Sequence, residues 1–308
     1  MKVFVAGASG VIGRALVPLL VQEGHLVTAM TRSPQRTTAL SAAGATPVVC
    51  DALDGGALTA AIGEATPDAV VHELTSLPKA INPRTALRDL ASNDRLRVEG
   101  TRNLVAAARA AGARRIVAQS IAFAYAPGPG LRDEDDPLYL DAPAEFRRSV
   151  DAVATLEQAV TGAGGVVLRY GYLYGPGSSY AHDGSLAELV RRRRFPVVGS
   201  GDGIFSFVHV DDAVRATVRA LDHAAPTIFN IVDDEPAAAR EWLPVYAAAL
   251  GARPPRRVPA WLVRGFAGSY AAQMMTSWPG ASNARARERL GWRPAIASWR
   301  EGFRSALG

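Results

Sequence analysis

Lys2-Val3-Phe4-Val5-Ala6-Gly7-Ala8-Ser9-Gly10-Val11-Ile12-Gly13 stands almost at the start of the chain and decides how the rest is read. Val3 to Ala6 has the apolar, β-branched character of a buried strand, and Val11 to Glu23 carries apolar residues at helical spacing. Between them lie three glycines spaced Gly-x-x-Gly-x-x-Gly. Such glycines permit a tight turn, close approach of an anion to the backbone, and close packing of helix on strand. The helix start then faces the anion with free N–H groups. The stretch therefore predicts a dinucleotide-binding turn in which Gly7, Ser9, Gly10, Val11, Ile12 and Gly13 surround a pyrophosphate.

Strand-like runs alternate with helical segments through the first half. Strands are expected at Lys2 to Ala6, Leu26 to Met30, Pro47 to Cys50, Ala69 to His72, Arg115 to Ala118 and Val166 to Arg169. Helices are expected at Pro34 to Ala43, Ala57 to Ile62, Leu87 to Ala111 and Ala144 to Thr161. The alternation predicts an α/β fold: a Rossmann-type, doubly wound parallel sheet with a smaller C-terminal substrate lobe. The predicted nucleotide domain takes residues 1–174 and about 204–222. The substrate lobe takes about 175–203 and 223–308, where glycine and proline become frequent.

The chain has 308 residues, about half of them apolar, enough for two cores. No apolar run approaches the roughly 20 residues that span a bilayer, and no signal-peptide pattern precedes the first strand. A cytoplasmic protein without membrane partners is expected. Cys50 is the only cysteine, which excludes an internal disulfide or a thiolate metal cluster, and no metal site is predicted. Lys2 and Lys79 are the only lysines among 34 basic residues, a bias that suits a GC-rich bacterial genome. Arg191 to Arg194 reads as the end of a helix, with no aromatic interleaving to suggest nucleic acid.

Cofactor choice follows from the residues after the second strand. An NAD-selecting turn places an acidic side chain there, and none occurs between Glu23 and Asp51. Thr31-Arg32-Ser33, with Arg36 a turn later, instead offers guanidinium forks suited to a 2′-phosphate, so NADP(H) is the predicted cofactor.

Four blocks together resemble the extended short-chain dehydrogenase/reductases, the sugar-nucleotide epimerase/dehydratase group. They are the glycine turn; Leu168-Arg169-x-Gly171-x-x-Tyr174-Gly175-Pro176-Gly177; Val208-His209-Val210-Asp211-Asp212; and Leu290-Gly291-Trp292-x-Pro294. The resemblance implies that Asp51 and the adjoining Ala52 lie at the adenine, and that Leu74 and Thr75 line the channel toward the nicotinamide. It makes His209 and the Asp211-Asp212 pair structural contacts at a helix start. It also implies a small-molecule substrate and a homodimer seam built from the two long helices.

The same resemblance exposes a departure. The family's proton donor is a Tyr-x-x-x-Lys pair, and none of the eight tyrosines here has a lysine four positions on. Registering the helix on Glu157 puts Ser149 at the tyrosine position and Val153 at the lysine position. Arg97 replaces the family asparagine in Arg97-Val98-Glu99-Gly100-Thr101. Ser120 keeps its place and is expected to hold a substrate oxygen beside the cofactor. Tyr125 and Tyr172 are the candidate substitute donors; Tyr170 flanks the same pocket, and His182 with Asp183 forms a further candidate pair. Trp261, Phe266, Tyr270 and Trp278 hint at a small hydrophobic ligand. The expected function is an NADP(H)-dependent reductase of a small organic substrate, acting on an electrophile that needs little acid help. The alternatives are a non-redox cyclase, isomerase or dehydratase, or an idle NADP sensor.

Overall fold

The computed structural model describes residues 1–77 and 90–307. Its centre is a seven-stranded, all-parallel sheet. Six strands follow the predicted runs: β1 (Lys2–Ala6), β2 (Leu26–Thr31), β3 (Thr46–Val49), β4 (Ala69–His72), β5 (Arg115–Ile121) and β6 (Val166–Tyr170). The seventh is Thr227–Ile231, and the order is β3-β2-β1-β4-β5-β6 with Thr227–Ile231 at the edge beyond β6. The order reverses at β1, which opens a crevice beyond the carboxyl ends of β1 and β4, where such sheets bind ligands.

Alternating side chains of each strand feed two cores. Val3, Val5, Val71, Val117 and Leu168 meet α1 (Val11–Gln22) and the helix Val210–Ala220 on one face. Phe4, Val70, Ile116, Ala118 and Val167 meet α3 (Gly55–Ala65; α2 is Thr37–Ala42) and the helices Thr101–Ala110 and Ala144–Gly162 on the other. Ile12, Leu16, Val17 and Leu20 bury the inner stripe of α1, and each contributes about 1.5–3 kcal/mol of hydrophobic stabilisation. A third, aromatic-rich core around Phe205, Phe207, Trp242 and Tyr246 belongs to the smaller lobe.

Two features differ from expectation. Thr227–Ile231, assigned from sequence to the substrate lobe, pairs with β6 and belongs to the main sheet. Its short alternation of apolar residues lies among the glycine- and proline-rich stretches that suggested the lobe. The predicted helix Leu87 to Ala111 begins outside the described residues; its described part runs from Ala91 to Ala110 and is interrupted by a single π turn at Leu96–Gly100. Among the described residues no helix is long and apolar enough to cross a membrane.

Candidate active site

The glycine turn sits at the reversal point of the sheet. Gly7 has φ +94°, and a Cβ there would lie 2.4 Å from the Glu73 carbonyl oxygen, so any side chain would push β1 from β4. A Cβ on Gly13 would lie 2.3 Å from the Gly7 carbonyl oxygen, so the helix rests directly on the turn. Gly10 starts α1 without a side-chain cap and without an acidic residue in the first turn. The N–H groups at this end are thus left for an anionic ligand, and the dipole favours it. Ser9 Oγ is 3.0 Å from Thr31 Oγ1, tying the turn to the end of β2. Val11 and Ile12 form the first turn of α1.

Beyond Thr31, Arg32 and Arg36 are both exposed, and neither forms an ion pair among the described residues. Asp51 accepts the Leu53 N–H in a tight turn after β3, and the buried Ala52 carbonyl receives Asn103 Nδ2 at 2.9 Å. His72 fixes the end of β4. Its Nδ1 accepts the Leu74 N–H, so Nε2 carries the proton and donates to Thr101 Oγ1 at 2.8 Å. Burial pushes the His72 pKa down to about 4, keeping the ring neutral. Leu74 is buried and Thr75 exposed at this rim. The glycine turn, Arg32, Asp51 and Leu74 thus follow the carboxyl ends of β1, β2, β3 and β4 in turn.

Ser120 and Tyr125 are placed differently from their predicted roles. Ser120 Oγ donates to Glu157 Oε1 at 2.7 Å. Arg169 grips the same carboxylate bidentately, Nε to Oε1 at 2.8 Å and Nη2 to Oε2 at 2.6 Å. Its Nη1 donates to the Tyr125 hydroxyl at 2.7 Å, and Tyr125 donates onward to Asn230 Oδ1 at 2.7 Å. The guanidinium also lies over the Tyr125 ring. Tyr125 is fully buried with its hydroxyl engaged on both sides, and burial pushes its pKa up to about 12. It is a structural member of a closed network, as is Ser120, and neither has a proton free for a substrate.

Tyr170 also turns away from the crevice. It joins the core on the α1 face, with its hydroxyl 2.7 Å from Thr217 Oγ1 and 3.1 Å from Glu73 Oε1. Glu73 is fully enclosed there, and burial raises its pKa to about 8. His182 and Asp183 are exposed, and no hydrogen bond or ion pair joins them. His209 and Asp212 make structural contacts: His209 Nδ1 accepts the Asp211 N–H, and Asp212 accepts the backbone N–H groups of Ala295 and Ile296.

Tyr172 is packed among aromatic rings, with Phe205 at 4.7 Å and Phe207 at 6.0 Å between centroids. Its ring stacks on Phe123 with centroids 4.4 Å apart, and its buried hydroxyl has no hydrogen-bond partner. Burial holds the phenol protonated, reinforced by Tyr270 and Tyr180 nearby. Tyr270 stacks on Phe146 at 4.2 Å and meets the edge of Trp278 at 5.3 Å. Trp261 and Phe266, by contrast, stand on the exposed side of the helix Ala260–Thr276.

A second polar cluster completes the site. Ser149 Oγ donates to Asp94 Oδ2 at 3.0 Å, and Asp94 Oδ1 has no hydrogen bond. Arg97, inside the π turn, lies 3.7 Å from that oxygen with its side chain 13% exposed. Burial raises the Asp94 pKa, while the charges of Arg97 and Arg148 oppose the rise.

Comparison with known proteins places these features. The model of the NAD dependent epimerase/dehydratase family matches residues 3–232. The chain belongs to this family. A Streptomyces protein named 3-diazoavenalumate denitrifying reductase is 49% identical over 312 residues, covering 98% of this chain and 99% of its own length. The 2-alkyl-3-oxoalkanoate reductase of Stenotrophomonas maltophilia is 31% identical and covers 82% of this chain and 76% of its own. The UDP-glucose 4-epimerase of Thermotoga maritima, solved with UDP-glucose, superposes with a TM-score of 0.79 at 20% identity, covering 100% of this chain and 97% of that one. That last likeness is one of fold.

On the helix Ala144–Gly162, Ser149 is bound to Asp94 and Val153 is fully buried. Lys2 Nζ is bound to Thr66 at the amino end of β1, the opposite end from Gly7. Lys79 falls outside the described residues. Asp94 was missed from sequence, although a signal existed: Asp94-Arg95-Leu96-Arg97 sets opposite charges one helical turn apart, next to the lost asparagine.

Proposed function

We propose that this protein is an NADPH-dependent reductase that replaces the diazo group of an aromatic compound with hydrogen. The observation that carries the reading is the chemical centre itself: a complete dinucleotide cradle beside a centre from which the proton-donating pair is gone. Reduction of a carbonyl needs a hydride and a proton. An aryl diazonium needs only the hydride, because it is already cationic and its leaving group is neutral dinitrogen. The balance is one aryl diazonium and one hydride giving one arene C–H and one N2. A centre with Ser149 and Val153 in place of tyrosine and lysine suits that balance, and the similarity to a denitrifying reductase over nearly the whole of both chains supports it.

When bound, the reduced nicotinamide supplies the hydride. In this reading Gly7, Ser9, Gly10, Val11, Ile12 and Gly13 hold the pyrophosphate through backbone N–H groups and the α1 dipole. Arg32 and Arg36 hold the 2′-phosphate, Asp51 and Ala52 border the adenine, and Leu74 and Thr75 border the ribose. In this reading Phe123 offers a flat face for the arene, and Tyr172, whose ring is packed against Phe123 and Phe205, offers its unpartnered hydroxyl as a donor for a polar group of the substrate. With its acid-base pair lost, the site acts by orientation and exclusion of water.

Deuterium at the transferable position of NADPH should appear on the arene carbon that bore nitrogen, with one cofactor oxidised per N2 released. Turnover without cofactor oxidation would point to a non-redox enzyme and overturn the reading. In the same assay, replacing Arg32 and Arg36 by alanine should weaken NADPH about 10–100-fold and leave NADH nearly unchanged, since only the former carries the 2′-phosphate.

A further inference from the structure

We infer that Arg97 is the receptor for the carboxylate of an aromatic acid substrate. The inference rests on the reductase reading for the reaction but stands on its own geometry for the ligand. Arg97 is an anomaly in this chain. Its guanidinium is nearly enclosed, yet it makes no hydrogen bond among the described residues; its one ion pair, to Asp94 at 3.7 Å, is too long to be one. Arg169, more deeply enclosed at 4% against 13%, is gripped by Glu157 through two bonds and by Tyr125 through a third. None of the Arg97 nitrogens is sealed off, so the fork stays open to a guest, and a planar carboxylate matches such a fork of N–H donors.

Asp94 does not fill that fork. One of its oxygens is taken by Ser149, and its charge is shared with Arg148 as well as Arg97. Glu157 also acts on Arg97 but is itself held by Arg169, so the Arg97 charge is the one not matched by a hydrogen-bonded carboxylate. The π turn that carries Arg97 is a local departure of the kind often found at functional positions.

The neighbours specify the rest of the guest. The charge of Arg97 acts on Tyr270, and Tyr270 in turn acts on Tyr172. Phe146 lies one turn before Ser149 on the helix Ala144–Gly162 and stacks on Tyr270, with Trp278 at the edge of both rings, so an aromatic group adjoins the cluster through that helix. A flat ring suits these faces, with its acid group on Arg97. Nothing phosphate-sized is required, and a single fork matches a single carboxylate. The same substrate class appears in the name of the Streptomyces relative, whose substrate is a carboxylate bearing a diazo group.

The test uses unreactive acids, so it does not depend on turnover. Benzoate, cinnamate and their primary amides are titrated calorimetrically into the NADP-loaded protein and its Arg97→Gln and Arg97→Lys variants. At least one acid should bind the native protein at least about tenfold tighter than its amide. Arg97→Gln should erase that preference, Arg97→Lys should retain part of it because charge survives without the fork, and NADPH affinity should stay the same in all three. In turnover, Arg97→Gln should raise KM with kcat within about threefold. Equal binding of acid and amide by the native protein, or binding of neither, overturns the inference. So does a loss of NADPH affinity in Arg97→Gln matching the loss of the acid. Thermal melts separate a folding defect, and Arg97→Lys keeps the question open to refutation if Arg97→Gln does not fold. Failure of the isotope experiment above with a clear acid preference here would sink the reaction and keep the receptor.

Discussion

Two polar clusters share the helix Ala144–Gly162 and are built on opposite terms. Near its end, Glu157 joins Arg169, Ser120, Tyr125 and Asn230 in a network whose buried side-chain atoms all have partners. Two turns earlier, Ser149 faces Asp94, Arg97 and Asn93, where Asp94 Oδ1 and Asn93 Nδ2 lack hydrogen bonds and Arg97 makes none. The first arrangement is what a protein does with buried charge when nothing else is to enter. The second leaves donors and acceptors without protein partners. Completeness of hydrogen bonding thus distinguishes the two clusters where residue type does not, since both consist of arginine, carboxylate and serine.

The sharpest way to break this contrast is to cut the closed network. Arg169→Leu leaves the buried Glu157 without its cationic partner and should cost about 3–5 kcal/mol, seen as a fall in Tm of about 5–8 °C. A loss no larger than that of an exposed ion pair would mean the network is not closed. Tyr125→Phe removes one hydroxyl and strands Arg169 Nη1 and Asn230 Oδ1, at about 1–3 kcal/mol by denaturant unfolding. If Tyr125 instead served as proton donor, kcat would collapse while stability held, reversing the expected pattern.

The smallest effect concerns pH. The folded pKa of Glu73, about 8, lies above its ordinary value of 4.5, so the folded state binds more protons between those values. Its contribution is fully present below pH 4.5 and is lost as pH rises toward 8. His72 acts with the opposite sign: its folded value of about 4 lies below the ordinary 6.5, so its contribution is lost as pH falls through that range. Glu73→Gln should therefore flatten the decline in Tm between pH 6.5 and 8 by a few degrees, where His72 is silent. An unchanged slope would show that Glu73 is ionised in the fold.

The fold was legible because its determinants are local. The glycine turn, the apolar strand runs and the helical periodicity each sit within a dozen residues, and the structure follows them nearly residue by residue. The edge strand Thr227–Ile231 was misassigned because its partner, β6, lies some sixty residues earlier and its own pattern is short. The site divided along the same line. Ser149, Val153 and Arg97 were singled out by register alone. The fate of Tyr125 was not, because an aromatic residue after a strand reads alike as lid or as core until Asn230, 105 residues away, is seen to hold its hydroxyl. Asp94 escaped notice because it matters only through Ser149, on another helix.

Val153 and Ser149 decide what a tyrosine and lysine written at these two positions would meet. Val153 is fully buried, and Ser149 donates to the Asp94 carboxylate. A lysine at 153 would have to bring an ammonium to a position where a small apolar side chain is now enclosed. A tyrosine at 149 would remove the hydroxyl that holds Asp94 Oδ2. The pair therefore does not graft onto this helix as two neutral changes: each would register as a cost in stability before any new turnover could be read.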